Sequence, residues 1–401
     1  MTEILSFGCR LNALEGESIR AHLAALPETI VVNTCAVTAE AERQARQAIR
    51  RAARERPGVP IVVTGCAAQI APARWSALPG VTRVLGNTEK LDPASWRSQT
   101  PVAVRDIMAA PRIPASPVAE FAGRTRAFLQ IQQGCDHRCT FCTIPLGRGN
   151  SRSVEPDAIL AQARTLIASG HREIILTGVD LTSYGADLSG APRLGAIAAR
   201  LLAETDLPRL RLSSIDPAEL DDDLWALLAT EPRLMPSLHL SLQSGSDLIL
   251  KRMKRRHGTA QATAVIARAR ALRPGIAIGA DLIAGFPTET ETLFQETLDF
   301  VTAHAIPYLH VFPYSERPNT PAARMPAVPV ALRRDRARAL REAAARNAAA
   351  YHATFIGQTL AVLAEGDATG RSEHGIRVRT QAAPGTIIPK RITEADAEGL
   401  A

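Results

Sequence analysis

The chain has 401 residues, of which 46% are hydrophobic and 22% charged, as in an ordinary globular protein. Its length predicts two or three domains. No run of eighteen apolar residues occurs, which excludes a membrane-spanning segment, and the N-terminus lacks the features of a secretory signal. We therefore expect a cytoplasmic protein whose six cysteines are metal ligands or catalytic groups rather than disulfides.

The net charge of +7 and the pI near 9.4 fit a polyanionic partner such as nucleic acid. Most of the basic residues are arginine and alanine is abundant, so a biased genome composition is an alternative explanation of the charge. Charge alone therefore favours nucleic-acid binding without establishing it.

Residues 1–108 alternate short apolar runs with helical patterns. The runs "EILSFGC", "TIVVNTC", "PIVVTGC" and "VTRVLGN" have the character of parallel strands, and they predict a small open α/β domain. Residues 109–126 are rich in Pro, Ala and Ser and are predicted to be a linker.

Strand and helix patterns alternate again over residues 127–327. Six strand–helix steps predict a barrel or partial barrel with its site at the carboxyl ends of the strands. Residues 328–350 predict a connecting helix rich in Ala and Arg. Residues 351–401 contain short runs broken by Gly and Pro, which predict an all-β domain.

The loop "GCDHRCTFC" places Cys135, Cys139 and Cys142 directly after a predicted strand. Structural zinc normally takes four ligands in separated pairs, so this spacing suits zinc poorly. Three thiolates on a four-iron cluster leave one iron free to bind a substrate. Structural or zinc-binding cysteines are the alternative interpretation.

The other three cysteines, Cys9, Cys35 and Cys66, each follow a predicted strand in "FGC", "NTC" and "TGC". Equivalent ends of parallel strands meet at one edge of a sheet, where ligand sites form. We therefore expect these thiols to converge and to hold a second cluster. A lone buried cysteine is usually a small apolar residue, but that explanation is poor for three cysteines in the same position.

The segment "GCDHRCTFCTIP" resembles the cluster loop of the radical S-adenosylmethionine superfamily, and the whole chain resembles its methylthiotransferases. The motifs that carry the resemblance include "GCRLNALEGE", "NTCAVTAEAERQARQ", "GCAAQ", "LHLSLQSGSDLILKRMKR", "ADLIAGFPTET" and "HVFPYSERPNTPAARM". The resemblance implies an N-terminal α/β domain, a central partial (β/α)6 barrel of TIM-like form and a short C-terminal all-β TRAM-like domain.

The resemblance also implies two [4Fe-4S] clusters, one at each cysteine set, and two uses of S-adenosylmethionine. One molecule would supply the methyl group at the Cys9, Cys35 and Cys66 cluster. Another would be cleaved at the Cys135, Cys139 and Cys142 cluster to give the radical that removes a hydrogen atom from adenine C2. An electron donor and a sulfur source are implied partners, and the oligomeric state stays open.

The resemblance further implies that the cofactor lies across the barrel's strand ends. Its expected neighbours are Phe141, Thr177, Gly178, Ser213, Ser214 and Gln243. Core packing for Phe141, and turn or strand-end roles for the others, are the alternative interpretations. The motif "AGFPTET" has Thr288 where the family commonly has Gly, which puts the local backbone conformation in question.

Two basic segments are candidates for contact with RNA phosphate. The segment that we favour is "KRMKRR", with Lys251, Arg252, Lys254, Arg255 and Arg256. The other segment lies on the second predicted helix and carries Arg43, Arg46, Arg50, Arg51 and Arg54. Solvated charge is the alternative for both. The TRAM-like segment has five basic and six acidic side chains from Tyr351 onward, which predicts weak electrostatic binding.

The expected partner is the anticodon stem-loop of a tRNA. "NTCAVTAEAERQARQ" looks most like the group acting on N6-threonylcarbamoyladenosine next to the anticodon, whereas "REKA" or "GCPKN" patterns of the isopentenyladenosine and ribosomal-protein groups do not occur. The hypothesis is 2-methylthiolation of that nucleoside. The alternatives are those other two substrates, or a non-catalytic, metal-bound RNA-binding protein.

Overall fold

The computed structural model describes residues 2–23, 27–110, 113, 118, 121 and 123–401. Within these residues the strands form a parallel sheet in the N-terminal part, a parallel barrel in the middle and an antiparallel sheet at the C-terminal end. The described helices include none that is long and apolar enough to cross a membrane.

The N-terminal part is an open parallel sheet with strand order β1-β2-β3-β4-β5 among the described residues. Its strands are β1 (Glu3–Ser6), β2 (Ile30–Thr34), β3 (Ile61–Gly65), β4 (Val81–Leu85) and β5 (Val102–Ala103). Its helices are α1 (Arg10–Leu23), α2 (Ala39–Glu55), α3 (Cys66–Ile70), α4 (Pro72–Ser76) and α5 (Pro93–Arg97). β2 and β3 are buried along their whole length, as the continuous apolar runs predict. The two-residue β5 was not predicted, because it is too short to show a period.

Much of the predicted linker 109–126 lies outside the described residues, namely 111, 112, 114–117, 119, 120 and 122. Three apolar residues within it are buried in the barrel core: Ile113, Val118 and Phe121. The described part of this segment is therefore packed against the second domain.

The central part is an arc of parallel strands in the order β6-β9-β10 and β11-β12-β13-β14. The strands of the arc are β6 (Arg126–Gln130), β9 (Glu173–Thr177), β10 (Arg209–Leu212), β11 (Ser214–Ile215), β12 (Ser237–Gln243), β13 (Ala277–Ala284) and β14 (Tyr308–Pro313). The short strands β7 (Gln132–Gln133) and β8 (Arg152–Ser153) form a separate antiparallel pair. The helices are α6 (Ile144–Arg148), α7 (Pro156–Ala168), α8 (Leu194–Glu204), α9 (Asp222–Thr230), α10 (Asp247–Met253), α11 (Thr259–Leu272) and α12 (Glu291–Ala303). β10 and β11 are one run interrupted at Ser213, so the described residues give the six barrel strands that the sequence predicts.

The long helix α13 (Val330–Ala353) leads into the C-terminal sheet, and it ends three residues later than the predicted 350. The extra turn is anchored because Tyr351 donates a hydrogen bond to the Gly275 carbonyl at 2.7 Å and His352 contacts the Tyr308 hydroxyl at 2.7 Å. The described sheet is antiparallel with order β17-β16-β15-β18. Its strands are β15 (Thr359–Gly366), β16 (Thr369–Ser372), β17 (Arg377–Arg379) and β18 (Ile387–Arg391).

This C-terminal sheet packs on the amino ends of the barrel strands. Arg209, the first residue of β10, donates to the Ala361 carbonyl at 2.8 Å, and Arg126, the first residue of β6, pairs with Glu365 at 2.5 Å. The opposite end of the barrel, where the strands terminate, faces the N-terminal part.

Candidate active site

The N-terminal trio, Cys9, Cys35 and Cys66, lies at the carboxyl edge of the first sheet, where each cysteine follows β1, β2 or β3. The thiols are close enough to affect one another: burial, and then the charges of Cys66 and Cys9, raise the pKa of Cys35 to about 12. Gly8 permits this crowding, because a Cβ there would stand 2.4 Å from the Cys35 Sγ. The three thiols therefore converge on one site.

The loop trio, Cys135, Cys139 and Cys142, lies between β7 and α6 and is half-buried. The loop is tied down by its own backbone, since Cys135 N donates to the Gly149 carbonyl at 3.1 Å and Cys142 N to the Cys139 carbonyl at 3.2 Å. Thr140 fastens it to the end of α10, with its hydroxyl 2.8 Å from the Arg252 carbonyl. Burial raises the pKa of Cys142 to about 11, so ligation to a metal is what would hold this thiol as a thiolate.

The spacing of the thiols tests the zinc alternative. A tetrahedral zinc with bonds of about 2.3 Å to sulfur needs its sulfurs about 3.8 Å apart. Among the described residues, three groups have their potential ligand atoms all within 4.8 Å of one another, and neither cysteine trio is one of them. Both trios are thus wider than a single zinc ion requires, whereas a four-iron cluster binds each thiolate through a different iron.

The two trios face each other across a direct contact between α3 and α6. A Cβ on Gly147 would stand 3.0 Å from the Cys66 Cβ, so a side chain there would push the two helices apart by a few tenths of an ångström. The Asn87 side-chain amide donates to the Gly147 carbonyl and lies 3.7 Å from the Cys66 Sγ. The elements that carry the two trios are therefore in direct contact at the junction between the first sheet and the barrel.

A buried ion network, which the sequence did not reveal, joins the two halves of this site. Arg148, at the end of α6, makes two contacts to the Glu15 carboxylate at 2.7 and 3.0 Å, and Lys90 contacts the same carboxylate at 2.7 Å. The three side chains are at most 1% exposed. Burial raises the pKa of Glu15, but Arg148 and Lys90 outweigh it and lower the pKa to about 2. The network is ionised and locks the loop trio's segment onto α1.

The predicted cofactor residues lie at the carboxyl ends of barrel strands. Ser213 separates β10 from β11, and its buried hydroxyl has no hydrogen-bond partner among the described residues, which fits a polar ligand. Gln243 ends β12 in a left-handed conformation (φ 71°) and is half-buried. Ser214 instead donates to Asp281, at 3.4 Å.

The other three predicted cofactor residues, Thr177, Gly178 and Phe141, lie in three different environments. The Thr177 hydroxyl is buried and donates to the Ile175 carbonyl at 3.1 Å, so it faces its own strand. Gly178 lies against Gln132, whose Oε1 would be 2.9 Å from a Cβ at that position. Phe141 packs edge-on against Phe286, with ring centroids 6.3 Å apart, which fits the core-packing interpretation of this residue.

The basic segment 251–256 divides into two environments. The Arg255 side chain is 8% exposed, pairs with Asp216 at 2.8 Å and lies 3.7 Å from the Cys139 Sγ. It faces the cluster loop, so the expectation that Arg255 contacts RNA phosphate is inconsistent with its position. Lys251, Lys254 and Arg256 are exposed, and Arg256 pairs with Glu219.

A second network missed by sequence reasoning lies beside the loop trio. His137 Nε2 is 2.8 Å from the Asp180 carboxylate, which itself lies 3.7 Å from the Cys135 Sγ. The hydrogen bonds to Asp180 and Glu219 raise the pKa of His137 to about 10. The available signal was the position of Asp180 in "TGVD", three residues past the end of β9.

Comparison with known proteins identifies the chain. The radical SAM superfamily model matches residues 129–301, and the model of an uncharacterized family, UPF0004, matches residues 2–86. A threonylcarbamoyladenosine tRNA methylthiotransferase of Rickettsia prowazekii is 46% identical over 94% of this chain and 90% of its own. The chain belongs to the radical S-adenosylmethionine methylthiotransferases. This membership implies a [4Fe-4S] cluster and S-adenosylmethionine, and it is the finding that excludes a non-catalytic protein.

Other relatives carry two different substrate names. The Bacillus subtilis relative, 38% identical over 80% of this chain and 74% of its own, is also named a threonylcarbamoyladenosine tRNA methylthiotransferase. The Novosphingobium aromaticivorans relative, 36% identical over 90% of this chain and 86% of its own, is named a tRNA-2-methylthio-N(6)-dimethylallyladenosine synthase. Among solved structures, the methyltransferase TsrM of Kitasatospora setae shares the fold, with a TM-score of 0.57 and 15% identity over 76% of this chain and 68% of its own.

Proposed function

We propose that this methylthiotransferase converts N6-threonylcarbamoyladenosine at tRNA position 37, next to the anticodon, to its 2-methylthio derivative. The observation that carries the proposal is the pair of cysteine trios carried by elements that contact each other at the carboxyl end of the barrel. The relative at 46% identity, whose name includes threonylcarbamoyladenosine, supports the choice of substrate over dimethylallyladenosine.

The two trios are suited to different tasks. With a [4Fe-4S] cluster at each trio, bound S-adenosylmethionine supplies a methyl group and a carbon-centred radical, and cluster-borne sulfur completes the methylthio group. The chain itself provides six cysteine thiols and the Asn87 contact that holds the sites together. It also provides polar groups at strand ends, such as the Ser213 hydroxyl, that have no hydrogen-bond partner among the described residues. A reductant and a sulfur source are needed as partners.

Exposed cations beside the barrel mouth are the proposed contacts with the anticodon stem-loop. Lys251, Lys254 and Arg256, with the half-buried Arg252, lie on or just after α10, whose end is fastened to the cluster loop through Thr140. A second candidate surface is a shallow pocket beside α2, which is lined by Phe7, Arg50, Arg51 and Arg54. Phosphate contacts at these places would orient the RNA without reading its sequence.

The test is methylthiolation by anaerobically reconstituted protein of tRNA carrying N6-threonylcarbamoyladenosine, with S-adenosylmethionine, a sulfide source and a reductant. Nucleoside mass spectrometry should show the 2-methylthio product and an equivalent of 5′-deoxyadenosine. Unmodified tRNA and tRNA carrying dimethylallyladenosine are the matched substrates. Preferential conversion of the dimethylallyl nucleoside would overturn the substrate assignment, and absence of visible iron–sulfur absorbance would overturn the chemistry.

A cellular experiment separates the remaining alternative. In a deletion strain, loss of the 2-methylthio derivative of threonylcarbamoyladenosine, restored by the parent gene but not by Cys135→Ala, would support the proposal. Unchanged tRNA nucleosides together with a lost modification on a ribosomal protein would refute it.

A further inference from the structure

The barrel lumen holds a polar cluster that the cysteine chemistry does not use. His239 on β12 and His310 on β14 both contact Oδ1 of Asp281 on β13, at 3.0 and 3.1 Å, and their rings lie 4.6 Å apart. Gly279 makes room for this arrangement, because a Cβ there would stand 2.5 Å from the His239 ring. The His310 side chain is 58% exposed, so the cluster is open to the lumen.

Arg10 approaches this cluster from the N-terminal part. It begins α1 directly after Cys9, and the same helix packs Leu14 into the barrel core beside β6. Among the described residues no hydrogen bond or ion pair holds its guanidinium, and the charges that act on it are those of Arg126, Asp281 and Arg211. Arg10 is thus an unpaired cation between the N-terminal trio and the lumen cluster.

Three arginines near the amino ends of the barrel strands add further positive charge to the lumen, but each of them already has a partner within the protein. Arg211 pairs with Glu173 at 2.8 Å, Arg209 donates to the C-terminal sheet, and Arg126 pairs with Glu365. Arg126, Arg209 and Arg211 are therefore matched in number by the three carboxylates of Glu173, Glu365 and Asp281. Arg10 is the additional cation, and it is the donor available to an anionic group in the lumen.

Resting on the proposed function, we propose that this lumen is the subsite for the N6 substituent of the target adenosine, with Arg10 binding the threonyl carboxylate. Asp281, held by the two imidazoles, accepts hydrogen bonds from the N–H and hydroxyl groups of the same substituent. A dimethylallyl group offers no hydrogen-bond partner to Arg10 or Asp281, and it would displace the water around these charges without replacing the hydrogen bonds that water makes, which is costly. The subsite therefore determines specificity.

The test is the affinity of reconstituted holoenzyme for three anticodon stem-loops that differ in adenosine 37: threonylcarbamoylated, unmodified and dimethylallylated. Arg10→Gln should weaken binding of the threonylcarbamoylated RNA about tenfold, as expected for the loss of a charge-assisted hydrogen bond, and change binding of the unmodified RNA less than twofold. Arg20→Gln, on the exposed far end of α1, should leave both affinities unchanged. His310→Phe is the second variant and should reduce the same preference without touching a residue next to a cysteine.

Equal losses for all three RNAs, or an unchanged preference in both variants, would overturn the inference. So would stoichiometric zinc, bound in the parent and lost in His310→Phe, because the cluster would then be a metal site. If the parent makes the methylthio product while the Arg10→Gln and His310→Phe variants keep the parent's preference, only the inference fails. If the parent makes no such product, the proposed function itself fails.

Discussion

The buried carboxylate of Glu15 gives the sharpest test of how the two cysteine sites are held together. Glu15→Gln keeps the shape of the side chain but leaves Arg148 and Lys90 without their counter-charge in a fully buried place. Removing one partner of a buried ion pair costs about 3–5 kcal/mol. The lowering of the Glu15 pKa from 4.5 to about 2 independently corresponds to about 3 kcal/mol. We expect Glu15→Gln to lower the free energy of unfolding by about 3–4 kcal/mol.

The assay is denaturant unfolding of the full-length, reduced apoprotein followed by tryptophan fluorescence. Two of the three tryptophans, Trp75 and Trp96, are buried in the N-terminal part, and the Trp96 indole donates to the Lys90 carbonyl at 2.9 Å. Most of the tryptophan signal therefore reports on this region, and Trp225 reports on the barrel. The matched control is Glu17→Gln on the same helix, whose exposed pair with Arg20 is worth less than about 1 kcal/mol. If Glu15→Gln costs no more than Glu17→Gln, the buried network does not fasten the site and the reasoning is refuted.

Four further outcomes follow from the same geometry. The pKa of Glu15 is lower in the fold, so its contribution is complete above pH 4.5 and is lost as the pH falls toward 2; the stability difference between the parent and Glu15→Gln should shrink over that range. Thr288 has a φ of 70° and a buried hydroxyl without a hydrogen-bond partner in the described part of the chain. Thr288→Gly should therefore raise the free energy of unfolding by about 1 kcal/mol, and a loss of stability would contradict the strain. Lys254→Ala should weaken RNA binding and reduce the salt dependence of that binding. Arg255→Ala should instead alter the visible spectrum of the reconstituted protein, and a spectrum identical to the parent's would contradict the contact with Cys139. Alanine at the whole N-terminal trio should remove about half of the bound iron but retain cleavage of S-adenosylmethionine, and alanine at the loop trio should abolish that cleavage; iron at the parent level in either variant would refute the two-cluster assignment.

The order of most strands along the chain was predictable because these strands are short apolar runs bounded by polar or turn residues. The predicted runs at Ile61–Gly65 and Glu173–Thr177 are strands that are buried throughout. The short strands β5 and β16 were missed because two to four residues carry no readable period. The helix α13 was predicted three residues too short, because its last turn depends on contacts of Tyr351 and His352 with distant residues.

The candidate site was only partly predictable. Six cysteines at strand ends can be read from spacing, because parallel strands bring equivalent ends to one edge. The role of Arg255 could not be read from the sequence, because every basic residue of "KRMKRR" looks equally exposed to solvent there. Only the turn after α10 directs the Arg255 side chain at Asp216. The same limit hid Arg148 and Asp281, whose partners are far away in sequence.

Taken alone, the sequence determined the three-part organisation and the grouping of the cysteines, because both depend on local periodicity and on short spacings. It also carried the family resemblance that the comparison with known relatives established. The tertiary structure alone decided which charged groups meet: Glu15 with Arg148 and Lys90, and Arg10 with the lumen cluster around Asp281. Charge pairing across a fold depends on distance in space, and residues 75 or more positions apart leave no local pattern of it in the chain.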